Sequence, residues 1–158
     1  MENKKVDILD LSRFLITYCK NNEIELNQLK LQKLLYYIQA WHLVYFNNDL
    51  IFDDVPEAWV NGPVYRKVYD VYKPSVYRDL TKSDKVEELT TIDLNDEQIK
   101  FLESIMDHYG LMPHEKLVFL THAEKPWNQA REGLSIFEYS NEKITHESMK
   151  SYYSSLIA

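Results

Sequence analysis

Three features are scarce in this sequence of 158 residues, and each scarcity excludes a class of protein. The single cysteine, Cys19, cannot form an internal disulfide, which fits a reducing compartment. The three glycines are isolated, so no glycine-rich loop is available to bind phosphate. No apolar run approaches the roughly 20 residues of a transmembrane helix, and the N-terminus lacks the apolar stretch of a secretory signal. We expect a cytoplasmic protein that does not enter a membrane.

Basic residues are also in short supply. The chain has 18 Lys and Arg against 25 Asp and Glu, and residues 80–158 account for most of the difference, with eight against fourteen. Affinity for nucleic acid depends mainly on Lys and Arg that displace counterions, so direct nucleic-acid binding is not expected. The acidic second half is either an ordinary solvated surface or a face for a basic protein partner.

Apolar residues recur at intervals of three and four along most of the chain, as in amphipathic helices. Side chains that can cap a helix N-terminus precede four of these segments: Asp7, Asn27, Asn95 and Thr145. Prolines suited to the first position of a helix open three more: Pro63, Pro113 and Pro126. Gly110 is expected to end the fourth helix, and the third to end at or before Lys73-Pro74.

The pattern as a whole predicts a fold class. We expect an all-α protein, mostly helical, that forms a single domain over residues 1–158. Any β structure should be a small hairpin or short strands near residues 50–60 and 86–94, where apolar residues alternate with turn formers.

The second predicted helix contains the stretch LKLQKLLYYIQAWHLVY, residues 29–45. Its apolar stripe runs from Leu31 to Tyr45 through Trp41 and should form the centre of the core. Lys30, Lys33 and Tyr37 fall toward the other side, where we expect them to be available to a partner.

The residues that carry most enzyme chemistry do not form a recognisable pattern. The five histidines are scattered and lack the spacing of a helical zinc site. Cys19 lies on an apolar helix stripe, where an inert core thiol is commoner than a nucleophile. Neither a metal nor a cofactor is expected, and the protein is predicted not to be an enzyme.

Tyrosine is abundant, and seven tyrosines fall between residues 36 and 77. A buried phenol needs a hydrogen-bond partner, so some of these rings should reach the surface, either in ordinary half-exposed packing or as interface contacts. The residues hypothesised to bind a partner are Tyr65, Tyr69, Tyr72, Tyr152 and Tyr153. Glu57 is hypothesised to be a partly buried carboxylate paired with Lys33 or Arg66.

Three segments, LKLQKLLYYIQAWHL, EAWVNGPV and THAEKPWNQAR, resemble in order and spacing the Panacea domain family of SocA-like proteins, over about residues 8–132. The positions that match the family motifs are Lys30, Gln32, Lys33, Tyr36, Tyr37, Trp41, His42, Glu57, Trp59, Gly62, Pro63, Val64, Thr121, His122, Pro126 and Trp127. The resemblance implies a mostly helical, often phage-associated antitoxin. Such a protein binds a cognate toxin encoded by an adjacent gene, and some relatives resemble adaptors that pass the toxin to a protease. The last residues, from Ile136 onward, lie outside these segments and are candidates for partner-specific contacts.

Two alternatives stay open at this point. The protein could be a prophage accessory factor that binds a host factor; in either role its partners could include a protease or a second copy of the chain. It could also be a small-molecule enzyme that uses His42, Glu57 and His122, in which case those side chains should converge in one concave pocket.

Overall fold

The computed structural model describes residues 2–73 and 76–157, and within these ranges it contains seven α-helices, one 3₁₀ helix and one two-stranded hairpin. The helices are α1 (Ile8–Asn21), α2 (Gln28–Tyr45), α3 (Arg66–Tyr72), α4 (Asp96–Tyr109), α5 (His114–Ala123), α6 (Lys125–Ala130) and α7 (His146–Ser155). The antiparallel strands are β1 (Glu57–Trp59) and β2 (Gly62–Val64), and the 3₁₀ helix is Leu80–Lys82. The all-α prediction is confirmed.

The four predicted capping side chains begin α1, α2, α4 and α7. Each accepts a hydrogen bond from a backbone N–H two or three residues later. At α4 the cap is reciprocal, because Gln98 also reaches back to the backbone N–H of Asn95. These contacts depend on neighbouring residues alone, which is why the sequence predicts them.

Helix α2 lies at the centre of the molecule, in contact with α1, α3, α4, α5, α7 and β2. It is therefore buried on nearly every side, and Lys30, Lys33 and Tyr37 are buried with the apolar stripe. The prediction that these three side chains are available to a partner is wrong. Periodicity identifies the most apolar side of a helix, but it does not count the neighbours that cover the other sides.

The hairpin differs from its prediction in position. Strand β1 lies within residues 50–60, but β2 follows it directly. Pro63 lies in β2 and does not open the third helix, which begins at Arg66. Residues 86–94, all described by the structure, contain no strand, because this segment runs along α1 and Leu89 donates its backbone N–H to Thr17 Oγ1 at 3.0 Å.

The end of α4 differs in detail from expectation, whereas α3 ends where predicted, before Lys73. Gly110 ends α4, but in a right-handed conformation, with φ −64°. A side chain at Gly110 would place its Cβ only 2.4 Å from the carbonyl oxygen of Met106. Glycine is therefore needed at this position because there is no space for a side chain, and not because of the backbone angle. Helix α3 ends at Tyr72, and Pro74 lies outside the described residues.

The C-terminal region is built onto the hairpin and onto α2. Ala58 donates its N–H to Glu142 O, and Ile144 donates to Pro56 O, both at 2.8 Å, so residues 142–144 extend the hairpin on the β1 side. Helix α7 then packs on α2. Among the described residues, none of the helices has the length and apolarity needed to cross a membrane.

Candidate protein-binding site

The three motif segments, distant in sequence, meet around the hairpin turn. Lys33 Nζ of α2 donates to the carbonyl oxygen of Pro63 at 3.1 Å. Trp127 Nε1 of α6 donates to the carbonyl oxygen of Trp59 at 2.8 Å. The turn is thus held from both sides by side chains that bind its backbone, and these motif positions serve to build the scaffold.

Lys33 is an unusual member of this scaffold because it is completely buried. Among the described residues no carboxylate lies within salt-bridge distance of its ammonium group. Burial lowers the pKa of Lys33 to about 7, since the charged form loses its hydration and gains no counter-charge.

A second buried polar cluster joins α2, α7 and the start of α6. Glu124 Oε1 accepts hydrogen bonds from Tyr37 at 2.6 Å and from Tyr153 at 2.8 Å, and the hydroxyls of Tyr153 and Tyr36 lie 3.1 Å apart. Burial raises the pKa of Glu124, and the two phenol hydrogen bonds offset part of this effect. The motif tyrosines on α2 therefore satisfy interior groups.

Two of the five tyrosines hypothesised to bind a partner are buried, so that hypothesis is wrong for them. Tyr153 packs edge-on against Tyr36 and belongs to the Glu124 cluster. Tyr65 lies in the core with its ring 5.1 Å from that of Phe52. Tyr69, Tyr72 and Tyr152 are half-buried, and for these three the role in binding stays a prediction.

The residues proposed for an enzyme lie in three separate environments. His42 hydrogen-bonds to a glutamine side chain of α4, Glu57 is bound by Arg66, and His122 stacks on Trp127 with ring centroids 4.0 Å apart. Burial lowers the pKa of both histidines. Within the described ranges, no group of three or more His, Cys, Asp or Glu side chains is arranged to hold a metal.

Glu57 has the partner that the sequence suggested, and the partner is Arg66 instead of Lys33. Arg66 donates to both carboxylate oxygens, at 2.9 and 3.1 Å, and Trp59 Nε1 donates to one of them at 2.9 Å. Burial alone would raise the pKa of Glu57, but the hydrogen bonds from Arg66 and Trp59 and the nearby positive charges hold it below its ordinary value.

We expect Glu57→Gln to destabilise the protein by about 1 kcal/mol, the usual contribution of such a hydrogen bond. The effect is modest because about half of the Arg66 side chain is exposed, so water can solvate the guanidinium after the change. Urea unfolding near neutral pH measures the difference. The matched control is Glu87→Gln, whose carboxylate is largely exposed; equal urea midpoints for the two variants would contradict the prediction.

An open groove of about 230 Å³ lies beside the hairpin. It is lined by residues of α2, of the hairpin and its turn, of α3 and the segment after it, and of the C-terminal region: Gln28, Leu29, Gln32, Trp59, Val60, Asn61, Val64, Tyr69, Val76 and Tyr139. None of these lining residues carries a formal charge. Three of the motif residues, Gln32, Trp59 and Val64, line this groove.

Gln28, which lines the groove, carries a buried hydrogen-bond donor without a partner among the described residues. Tyr65 donates its backbone N–H to Gln32 Oε1 at 2.7 Å, which fixes the orientation of the Gln32 amide. Gln32 Nε2 then donates to Gln28 Oε1 at 3.1 Å. Gln28, only 1% exposed, is left with an Nε2 group that has no acceptor among the described residues.

One edge of the groove continues into residues 132–142, which we call the 132–142 loop. Arg131 is buried and donates to the carbonyl oxygens of Ala58 at 2.8 Å and of two loop residues, Ser135 and Glu138. The loop nevertheless turns its large apolar side chains outward. Ile136, Phe137 and Tyr139 are 63%, 82% and 71% exposed, and Tyr139 also lines the groove.

The sequence identifies one part of this surface, since the residues from Ile136 onward are candidates for partner-specific contacts. Gln28 has no such signal in the sequence, because its unpaired donor is identified only by the orientations of two side chains, those of Gln32 and Gln28. The loop carried a usable signal, because the run IFEY between Gly133 and Asn141 is apolar in an acidic, turn-rich context.

A family model described as "Antitoxin SocA-like, Panacea domain" matches residues 31–128, which is more than half of the chain. The match contains all three regions that meet around the hairpin turn, whereas the 132–142 loop and α7 lie beyond it. The comparisons with curated proteins and with solved structures gave no match.

Proposed function

The chain belongs to the family of SocA-like antitoxins with a Panacea domain, and on this premise we propose that it binds and neutralises a cognate toxin by direct protein–protein contact. The toxin is expected to be the product of an adjacent gene. Neutralisation in this proposal needs no catalysis, and the separate environments of His42, Glu57 and His122 support that part of it.

The observation that carries the proposal is the exposed apolar surface formed by the 132–142 loop and the groove. Exposed apolar side chains that lie together on a protein surface commonly mark a site of protein–protein contact. Here the backbone of the loop is fixed by Arg131, while Ile136 and Phe137 contact solvent. Such an arrangement loses little conformational entropy on binding, which favours tight association.

Electrostatics specify the kind of toxin surface that fits. Glu132, Glu138 and Glu142 flank the exposed apolar side chains, and the second half of the chain carries most of the net negative charge. An apolar pocket rimmed by Lys or Arg on the toxin would complement this surface and would speed association. An adaptor role, in which the protein passes the bound toxin to a protease, would use the same contact. The lifetime of the toxin in cells would measure such delivery.

We expect Phe137→Ala to weaken the complex by about 30-fold or more, the effect of truncating an aromatic residue at an interface centre. The measurement is titration calorimetry with the purified product of the adjacent gene, together with rescue of growth on co-expression. The matched control is Phe119→Ala, because Phe119 is also largely exposed but lies on α5. A toxic neighbour that the wild-type protein never binds would contradict the proposed function itself.

A further inference from the structure

The groove beside the hairpin has a volume suited to one side chain. Its 230 Å³ lies below the roughly 300–1,000 Å³ of typical small-molecule sites. Its walls are apolar and aromatic, formed by residues such as Val60, Val64 and Tyr69, and the exposed Tyr139 also lines it. The shape fits a bulky apolar side chain that enters from an extended chain lying across the opening.

A ligand in the groove would also need a polar contact, and Gln28 offers a hydrogen-bond donor for it. The orientation of Gln28 is determined by Gln32, and that of Gln32 by the backbone of Tyr65, so the unpaired group of Gln28 is a donor and not an acceptor. A buried donor without a partner is costly, and a ligand that brings an acceptor removes that cost.

The acceptor that fits best is a neutral main-chain carbonyl. The residues that line the groove carry no positive charge, and Arg66, whose guanidinium lies over the Trp59 ring, is already paired with Glu57. A carboxylate or a phosphate in the groove would therefore lack a free counter-charge, and an uncompensated charge is expensive to desolvate. A peptide carbonyl needs only the single hydrogen bond that Gln28 offers.

We propose that this groove recognises an extended segment of another protein, seats one of its aliphatic side chains against Val60 and Val64, and binds the adjacent main-chain carbonyl through Gln28 Nε2. The inference deepens the proposed function by specifying what the surface recognises, and it rests on that function only for the identity of the segment as part of the toxin. A second copy of this chain is the competing occupant.

The test uses two capped tripeptides, acetyl-alanyl-leucyl-alanyl-amide and its aspartyl counterpart, titrated into the ¹⁵N-labelled full chain. We expect the leucyl peptide to cause saturable shifts in the millimolar range at the amides of Val60, Asn61 and Val64 and at the Trp59 indole. We expect no saturable shift with the aspartyl peptide. No saturation with the leucyl peptide, or shifts centred elsewhere, would overturn the inference.

Two variants assign the contacts. Gln28→Met keeps the length of the side chain, removes the donor, and should weaken leucyl-peptide binding about five-fold, the loss of one neutral hydrogen bond. Tyr139→Ala should also weaken leucyl-peptide binding. Because Tyr139 is exposed, this change should leave folding intact, so the variant tests the groove even where Gln28→Met does not fold. Unchanged affinity in the folded variants refutes the assigned groove.

The failure of this inference can be told apart from the failure of the proposed function, because the peptides require no toxin. A toxin that binds the chain while both peptides leave the groove unchanged would refute the inference alone. Shifts at the groove that depend on protein concentration without any peptide would instead assign the groove to self-association.

Discussion

Gly62→Ala should destabilise the protein by about 2–5 kcal/mol, the largest effect we expect from any change in the hairpin. Gly62 has φ +106°, in a region that side chains rarely adopt and that costs about 1–3 kcal/mol. A Cβ there would also lie 2.7 Å from Lys33 Cε and 2.8 Å from Thr121 Oγ1. Overpacking of a filled site adds about 1–3 kcal/mol.

The chain contains a matched control for this prediction. Gly133 also has a positive φ, +85°, but a Cβ at Gly133 would meet no atom within 4 Å. Gly133→Ala should therefore carry only the backbone cost, about 1 kcal/mol. Urea unfolding measures the stability lost in each variant and so separates backbone strain from steric overlap. Equal losses of stability would show that the close approach of Lys33 and Thr121 to the turn does not contribute to the effect of Gly62→Ala.

Lys33→Met should stabilise the protein by about 3 kcal/mol near pH 6, and the gain should fall toward zero near pH 10. Replacing a buried charge that has no counter-charge with an apolar side chain of similar length commonly stabilises a protein. The hydrogen bond to Pro63 is lost in the variant and offsets a smaller part of the gain.

The sign of the pH dependence follows from the direction of the pKa shift. The pKa of Lys33 is about 7 in the folded protein and 10.5 in the unfolded chain. Between these values the unfolded chain binds more protons, so the stability of the wild-type protein should rise with pH across this window, by up to about 1.4 kcal/mol per pH unit. Above about pH 10.5 the rise should end, because Lys33 is then neutral in both states. The buried tyrosines act in the opposite direction: their pKa values are raised in the folded protein, so stability should fall once unfolded tyrosine loses its proton, above about pH 10.

Urea unfolding of the wild-type protein and of Lys33→Met at several pH values from about 6 to 9.5 measures this effect. The matched control is Lys20→Met, because about half of the Lys20 side chain is exposed and its ammonium pairs with Glu88 at the surface. Lys20→Met should keep the wild-type slope, whereas Lys33→Met should flatten it. A slope that survives Lys33→Met would contradict a buried, uncompensated Lys33.

The sequence predicted those parts of the fold that depend on residues close together in the chain. The caps at Asp7 and Asn95 are of this kind, since donor and acceptor are two or three residues apart. Of the two partners considered for Glu57, the one that binds it is Arg66, which lies in the same short segment. Physical rules for neighbouring residues suffice for such contacts.

What the sequence did not predict depends on groups brought together from distant segments. Pro63 obeys a local rule for helix starts, but pairing with β1 and the hydrogen bond from Lys33 hold it in a strand. The sequence does not show which elements pack over Tyr65 and Tyr153, so it does not determine whether these side chains lie at the surface or in the core. The candidate site belongs to this second class, because its donor and its walls come from α2, the hairpin and the C-terminal region.

The way Arg131 holds the 132–142 loop has a consequence for how such proteins diversify. Within the described residues its guanidinium hydrogen-bonds to backbone carbonyl oxygens, which every amino acid provides, and to none of the loop's side chains. The exposed positions 136 and 137 can therefore change in size, polarity or charge while the loop keeps its backbone path. Evolution, or an engineer, could exchange the partner by rewriting these few positions, and the scaffold around the hairpin turn would need no compensating substitution.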